Sequence, residues 1–302
     1  MKYIDRNNVT APAVLAENDS KAANERAKVR AHYGNPNCDT YKFRAYKDVE
    51  VLNALNELFS NKCAYCGSFY RATSPTDIEH FRPKGRVSGV TGHKGYWWLA
   101  STWGNLLPSC ILCNREQYNE LFDITTANLN LACIKSGKVD HFPLAGPYRA
   151  TKENDDIERE DPLLIDPTQR DPALYLTWRK INNSYVIVPL HQSGVTIPYA
   201  RTSIQVYGLN RWPLVESRTA AALEIEVAAQ LLASQLSRAI ESDPALLPVL
   251  MPTIEDYVRE FVRKKENPAQ FAGMIEYLVD RELGKMFNQL QILKERYNNL
   301  TQ

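Results

Sequence analysis

Four cysteines fall into two matched pairs, Cys63-Ala-Tyr-Cys66 and Cys110-Ile-Leu-Cys113. Two such turns facing one another supply the four soft ligands that a tetrahedral zinc ion takes. The chain has only six cysteines in 302 residues, too few for a secreted disulfide scaffold, so the pairs point to metal rather than to disulfides. The alternative is four unrelated core or redox cysteines. A zinc ion held by four cysteines keeps no open coordination position, so it staples a fold and does no chemistry of its own. Cys38 and Cys133 have no paired neighbour and read as small hydrophobes.

The chemistry must then come from what lies between and beside the pairs. The insert carries Asp77-Ile78-Glu79-His80-Phe81-Arg82-Pro83-Lys84, then Trp103-Gly104-Asn105-Leu106-Leu107-Pro108, and Asn114 directly follows the last cysteine. Hydrolysis of a phosphodiester needs a base for water, and a neutral imidazole such as His80 suits pH 7. It also needs a divalent cation, Mg2+ or Mn2+, to neutralise charge, bound through oxygen. Glu79 offers a carboxylate oxygen for that ion and Asn114 an amide oxygen. Asn105 could hold the imidazole in the useful tautomer. Neighbours on a strand point to opposite faces, so Glu79 and His80 share a site only where the strand twists or ends, as before Pro83. Arg82, Lys84, Arg86 and Lys94 form a local basic group, with Arg82 and Lys84 the candidates for phosphate contact. Trp97, Trp98 and Trp103 read as core rather than as a base-stacking platform.

In this order the residues resemble the HNH endonuclease family, in its form with two zinc knuckles and a ββα-metal core. Asp77, Glu79, His80 and Pro83 fit its first segment, Asn105 its middle position, and Asn114 stands where many members have His. The basic residue usual a few positions beyond is not cleanly matched, since Arg115 follows at once. KCAYCG, IEHFRPKG, GYWWLA, WGNLLPSC and CN together resemble the PtuB-type subfamily, and PLLIDP and YGLNRWPLVESR agree more loosely. The resemblance implies a metal-dependent endonuclease that uses Glu79, His80 and Asn105. A structural zinc would sit on Cys63, Cys66, Cys110 and Cys113, and Mg2+ or Mn2+ on Glu79 and Asn114, with Arg82 and Lys84 on the substrate. It also implies an effector of bacterial anti-phage systems, Septu and some retrons, working beside a PtuA-type ATPase of the ABC/SMC-like class. DNA is the first choice of substrate. An RNA-cleaving effector, tRNA included, is the alternative, and a non-catalytic zinc module that scaffolds an ATPase is a reading from another class.

The elements that must hold these residues point to an α+β fold, a zinc-stapled ββα-metal (His-Me finger) core with a mainly helical C-terminal region. Residues 1–45 read as an N-terminal extension, 46–150 as the nuclease domain, 151–171 as an acidic connector and 172–302 as the helical region. Val49, Leu52, Leu55, Leu58 and Phe59 recur at helical spacing just before the first cysteine pair. Residues 214–241, 254–265 and 269–297 read as helices, and 185–189 and 196–200 as strands. Residues 151–166 hold seven Asp/Glu against two Lys/Arg, the pattern of a solvated stretch. A composition of 44% hydrophobic and 24% charged residues excludes a disordered chain. A net charge of +1 confines any nucleic-acid site to a local patch. No stretch of about 18 apolar residues offers a membrane span, and the N-terminus lacks the apolar core of a signal peptide, so a cytoplasmic location is expected.

Overall fold

In the computed structural model residues 1–35, 37–70, 75–123, 130–191, 194–266 and 269–301 are described. The chain divides into two units, one of residues 1–182 and 186–214, the other of 183–185 and 215–302. The first unit holds α1 (Lys21–Tyr33), α2 (Val49–Leu58), β1 (Asp77–His80), β2 (Leu106–Ser109), α3 (Ile111–Asn114), β3 (Gln117–Asp123) and β4 (Asn130–Ser136). After these come β5 (Leu176–Ile181), β6 (Ser184–Pro189) and α4 (Ile197–Val206). The strands pair as three two-stranded sheets, β1 with β2, β3 with β4 and β5 with β6. The second unit is helical, built from most of α5 (Trp212–Glu241), α6 (Leu247–Arg263) and α7 (Ala272–Thr301).

The helix expected before the first cysteine pair is α2. Asp48 caps it by accepting from the Glu50 N–H, and Val51, Leu55 and Leu58 form its buried face. That face packs on a core shared with Leu106 of β2, Ala100, Phe43 and Tyr46. Leu15, Ala22 and Val29 belong to the same core, so residues from the expected extension help to build the floor of the site. The Arg6 guanidinium donates to the Trp103 and Leu106 carbonyls at 2.7 and 3.1 Å, fixing the turn into β2. Trp97 stacks on Tyr33 with ring centroids 4.9 Å apart, and Trp98 is buried, in keeping with a packing role.

β1 and β2 run antiparallel with Asp77 opposite Ser109 and His80 opposite Leu106. The Pro108 carbonyl of β2 accepts the Ala64 N–H, which ties the first cysteine turn to this hairpin. The one-turn helix α3 follows β2 directly and carries the second cysteine pair into Asn114.

Three local expectations differ from the structure. Residues 196–200 enter α4 rather than a strand. Pro198 lies in the first turn of that helix, where its missing N–H costs nothing. The stretch 151–166 is only partly solvated, because Glu160 and Asp166 are buried. In the second unit α6 begins earlier than its apolar spacing suggested. Pro248 stands in its first turn and Pro252 lies inside it, at the cost of one backbone bond.

Candidate active site

The four cysteine sulfurs lie within 4.8 Å of one another and all four residues are buried. Local hydrogen bonds shape each pair. The Gly67 N–H reaches the Cys63 carbonyl, and the Cys113 and Asn114 N–H groups both reach the Cys110 carbonyl. Cys66 Sγ and Cys110 Sγ are 3.8 Å apart. A tetrahedron of ~2.3 Å zinc–sulfur bonds has edges of about 3.8 Å, so the donor set and spacing suit an ion such as zinc. The buried Arg211 points its guanidinium at the cluster, with Nη1 3.4 Å from Cys113 Sγ and Nη2 3.8 Å from Cys110 Sγ. That positive charge would offset part of the charge on four metal-bound thiolates.

Beside the cluster, β1 opens onto a cleft of about 740 Å³ lined by Tyr46, Lys47, Asp77, Glu79, His80, Lys84, Asn114 and Arg115, among others. Glu79 and His80 both reach it because β1 ends at His80. Asn105 makes that ending. Its Oδ1 accepts the Arg82 N–H at 2.8 Å, its Nδ2 donates to the Arg82 and Leu99 carbonyls, and its own carbonyl accepts the Phe81 N–H. All its side-chain bonds go to backbone, so the expectation that Asn105 holds the imidazole is corrected. The Ala100 carbonyl does so, 2.9 Å from His80 Nε2.

A carbonyl only accepts, so Nε2 carries the proton and Nδ1 is left with its lone pair. Lys84 Nζ stands 3.5 Å from Nδ1, and the Tyr46 ring meets the imidazole edge-on at 4.5 Å between centroids. Burial, then the nearby Lys84 charge, holds the His80 pKa well below its ordinary value. Burial likewise lowers Lys84 and pushes Tyr46 up to about 12. Burial and Lys84 thus favour the neutral imidazole, with Nδ1 unprotonated at the cleft.

Glu79 is buried, and Lys138 Nζ lies 2.6 Å from its Oε1, an atom that has no well-aligned hydrogen bond. Burial raises the Glu79 pKa, with Lys138 acting in the opposite direction. Lys138 is wholly buried, and its Nζ also donates to the His80 carbonyl at 2.8 Å. Asp77, two residues from Glu79 on the same strand face, accepts from Asn114 Nδ2 at 3.0 Å and from Arg115 in a two-pronged contact. Asp77, Glu79 and Asn114 thus bring oxygen donors to one cleft, a hard set of the kind Mg2+ or Mn2+ takes.

Arg82 is placed otherwise than expected. It is buried, its Nε donates to Glu160 Oε2 at 2.8 Å, and its Nη2 reaches the Ile157 carbonyl. The other Glu160 oxygen accepts from Tyr96 Oη and the Ala150 N–H. With its charge spent inside the fold, Arg82 is no phosphate contact. Lys84, by contrast, stays at the cleft beside His80. His93 is satisfied within the fold, its Nε2 meeting the Ala150 carbonyl and its Nδ1 the Gly95 N–H.

Sequence reasoning missed Lys138, Arg211, Glu160 and the Ala100 carbonyl. One signal for Lys138 was Gly137. Its φ is +128°, and a Cβ there would meet the Arg115 carbonyl oxygen at 2.2 Å. That close approach lets the Lys138 N–H bond to the Cys113 carbonyl and threads the lysine under Glu79. Gly95 does the same for Lys84: its φ is +70°, and a Cβ would come within 2.4 Å of the Gly85 nitrogen.

The chain is 29% identical over 310 residues to the Septu protein PtuB of Bacillus mycoides (strain KBAB4), spanning 96% of this chain and 95% of that protein. No family model matches the chain, and no solved structure matches it.

Proposed function

We propose that this chain is a metal-dependent endonuclease of the HNH type, the PtuB-like component of an anti-phage defence system, acting in the cytoplasm beside a PtuA-type ATPase. Similarity to the Septu protein PtuB supports the defence role. The observation that carries the nuclease reading is His80, whose Nε2 is tied to the Ala100 carbonyl while Nδ1 is left unprotonated at a cleft with Glu79, Lys84 and Asn114. The hairpin of β1 and β2 and the turn α3 would then be the ββα-metal core, with a structural zinc on the four cysteines.

In this mechanism His80 Nδ1 takes a proton from water, the water oxygen forms a bond to phosphorus, and the bond from phosphorus to O3′ breaks with its electron pair left on O3′. Lys84 faces the non-bridging oxygens as a fixed positive charge. The Ala100 carbonyl keeps the imidazole aimed, while Asn105 shapes the backbone just after His80. Glu79 and Asn114, with Asp77 as a further donor, would hold Mg2+ or Mn2+, which supplies positive charge for the leaving oxygen. DNA is the first substrate to test, and RNA, tRNA included, the second.

One observation favours the second reading, a zinc module that scaffolds an ATPase without cutting. Each carboxylate lining the cleft already has a cationic partner, Lys138 on Glu79, Arg115 on Asp77 and Lys135 on Glu116. Metal binding separates the two. Titration of Mn2+ into zinc-loaded protein should give a weak second site in the wild type that Glu79→Gln loses while its zinc content is unchanged. No Mn2+ uptake by the wild type would favour the scaffold.

A further inference from the structure

Residues 21–47 hold seven Lys/Arg against two Asp/Glu in a chain whose net charge is +1. Folding divides these cations into two groups. Lys21 pairs with Asp48, Arg26 turns to the Ala16 carbonyl and Arg30 is held by Glu153, so these three serve the fold. Lys28, Lys42, Arg44 and Lys47 are exposed, and no carboxylate among the described residues pairs with them.

Three of these four share a groove. Lys21, Asn24, Glu25 and Lys28 stand at helical spacing on one face of α1, and with Lys42 and Arg44 they line a groove of about 720 Å³. The one acid among its lining residues is turned inward. Glu25 accepts the Arg44 and Ala45 N–H groups and the Ser101 hydroxyl. The groove ends at Ala45, and the next two residues, Tyr46 and Lys47, already line the catalytic cleft. Tyr46 is the ring that packs on His80. A row of exposed cations therefore leads along one backbone segment to the candidate base.

We propose that this groove binds the sugar-phosphate backbone of a nucleic acid and delivers it to the cleft. The proposal rests on the nucleic-acid substrate of the nuclease reading, but its contacts lie outside the catalytic residues. Lysine and arginine ends with a single tyrosine, Tyr41, among the lining residues recognise phosphate charge rather than base sequence.

The test uses the full-length protein without added divalent cation, so that nothing is cut. Binding to a fluorescent 30-base-pair DNA duplex and to an RNA hairpin is read by anisotropy from 50 to 200 mM salt. The charge-reversed set Lys28→Glu, Lys42→Glu, Arg44→Glu should bind roughly tenfold to hundredfold more weakly. Its slope of log affinity against log salt should be shallower by about 2 to 3, as three lost phosphate contacts require. The milder set Lys28→Gln, Lys42→Gln, Arg44→Gln, with an unchanged melting temperature, should weaken in the same direction. Reversal of three exposed cations of the helical unit, Arg259→Glu, Lys285→Glu and Lys294→Glu, should have much less effect. The nucleic acid whose binding falls most is the one the groove carries. Wild-type binding that the groove variants leave intact, or that the control set weakens as much, would overturn the groove and leave the nuclease reading standing. No binding by the wild type at 50 mM salt would likewise overturn the groove.

Discussion

His80 is useful because of what holds its far nitrogen. The Ala100 carbonyl fixes the Nε2 proton, and burial beside Lys84 keeps the ring neutral. The sign of the pH dependence follows. A base works when unprotonated, and the folded pKa lies well below 6.5, so cleavage should lose rate only as pH falls through that depressed value. The profile of kcat/KM should be level from about pH 6.5 to 8 on its acid side, and an acid limb at or above pH 6.5 would contradict the assignment. Lys138 makes a second prediction. Breaking a buried ion pair leaves the remaining charge uncompensated, at about 3–5 kcal/mol. Lys138→Met should lower the unfolding free energy by that order in urea titrations without divalent cation, whereas Lys138→Met with Glu79→Gln should recover much of it. At this scale the proposed base and its acidic neighbour were legible in the sequence as a pair, because Glu79 and His80 are contiguous. The sequence did not show Lys138, whose pairing depends on a backbone approach at Gly137 far along the chain. Asn105 stands out in the sequence pattern, but its side chain shapes backbone and does not touch the ring.

The elements matter for how they lock those residues in place. The two cysteine turns grip β1, β2 and α3, so loss of the metal should reach the cleft. Protein as purified should carry about one zinc per chain, and Cys110→Ser should lose it together with thermal stability. Arg211→Ala should weaken zinc about 10–100-fold in competition with a chromophoric chelator, the range typical of groups that support metal ligands from behind. Glu160 belongs to the stretch that reads as a solvated connector, yet it closes on the buried Arg82. Glu160→Ala should therefore cost about 3–5 kcal/mol, whereas Glu153→Ala, whose partner Arg30 is exposed, should cost about 1 kcal/mol or less. Equal effects in denaturant titrations would refute that contrast. The cysteine pairs and α2 were legible because spacing alone carries them. The burial of Glu160 was not, since composition describes a stretch and cannot say which one of its carboxylates finds a buried arginine. The start of α4 was misread because Pro198 suits a helix's first turn as well as a strand's edge.

At the scale of the whole molecule, the near-neutral charge hides an uneven distribution. The first unit carries the cysteine cluster, the cleft and the basic segment 21–47, while the second is built of helices. Among the described residues no helix is long and apolar enough to cross a membrane. The helical character of the C-terminal half was legible from Ala, Leu and Glu runs. The contribution of the N-terminal residues to the core was not, because α1 buries only Ala22 and Val29 and its sequence shows no apolar stripe. Substrate and partner are properties of the assembled molecule, so the decisive measurement is a cleavage assay on the full chain. Plasmid DNA and total tRNA are incubated with Mg2+ or Mn2+, with EDTA controls and His80→Ala, with and without a PtuA-type ATPase. The account predicts cutting of at least one substrate that requires both the metal and His80. Cutting by zinc-loaded His80→Ala at the wild-type rate, or no cutting in any lane by zinc-loaded wild type with a PtuA-type ATPase, would contradict it.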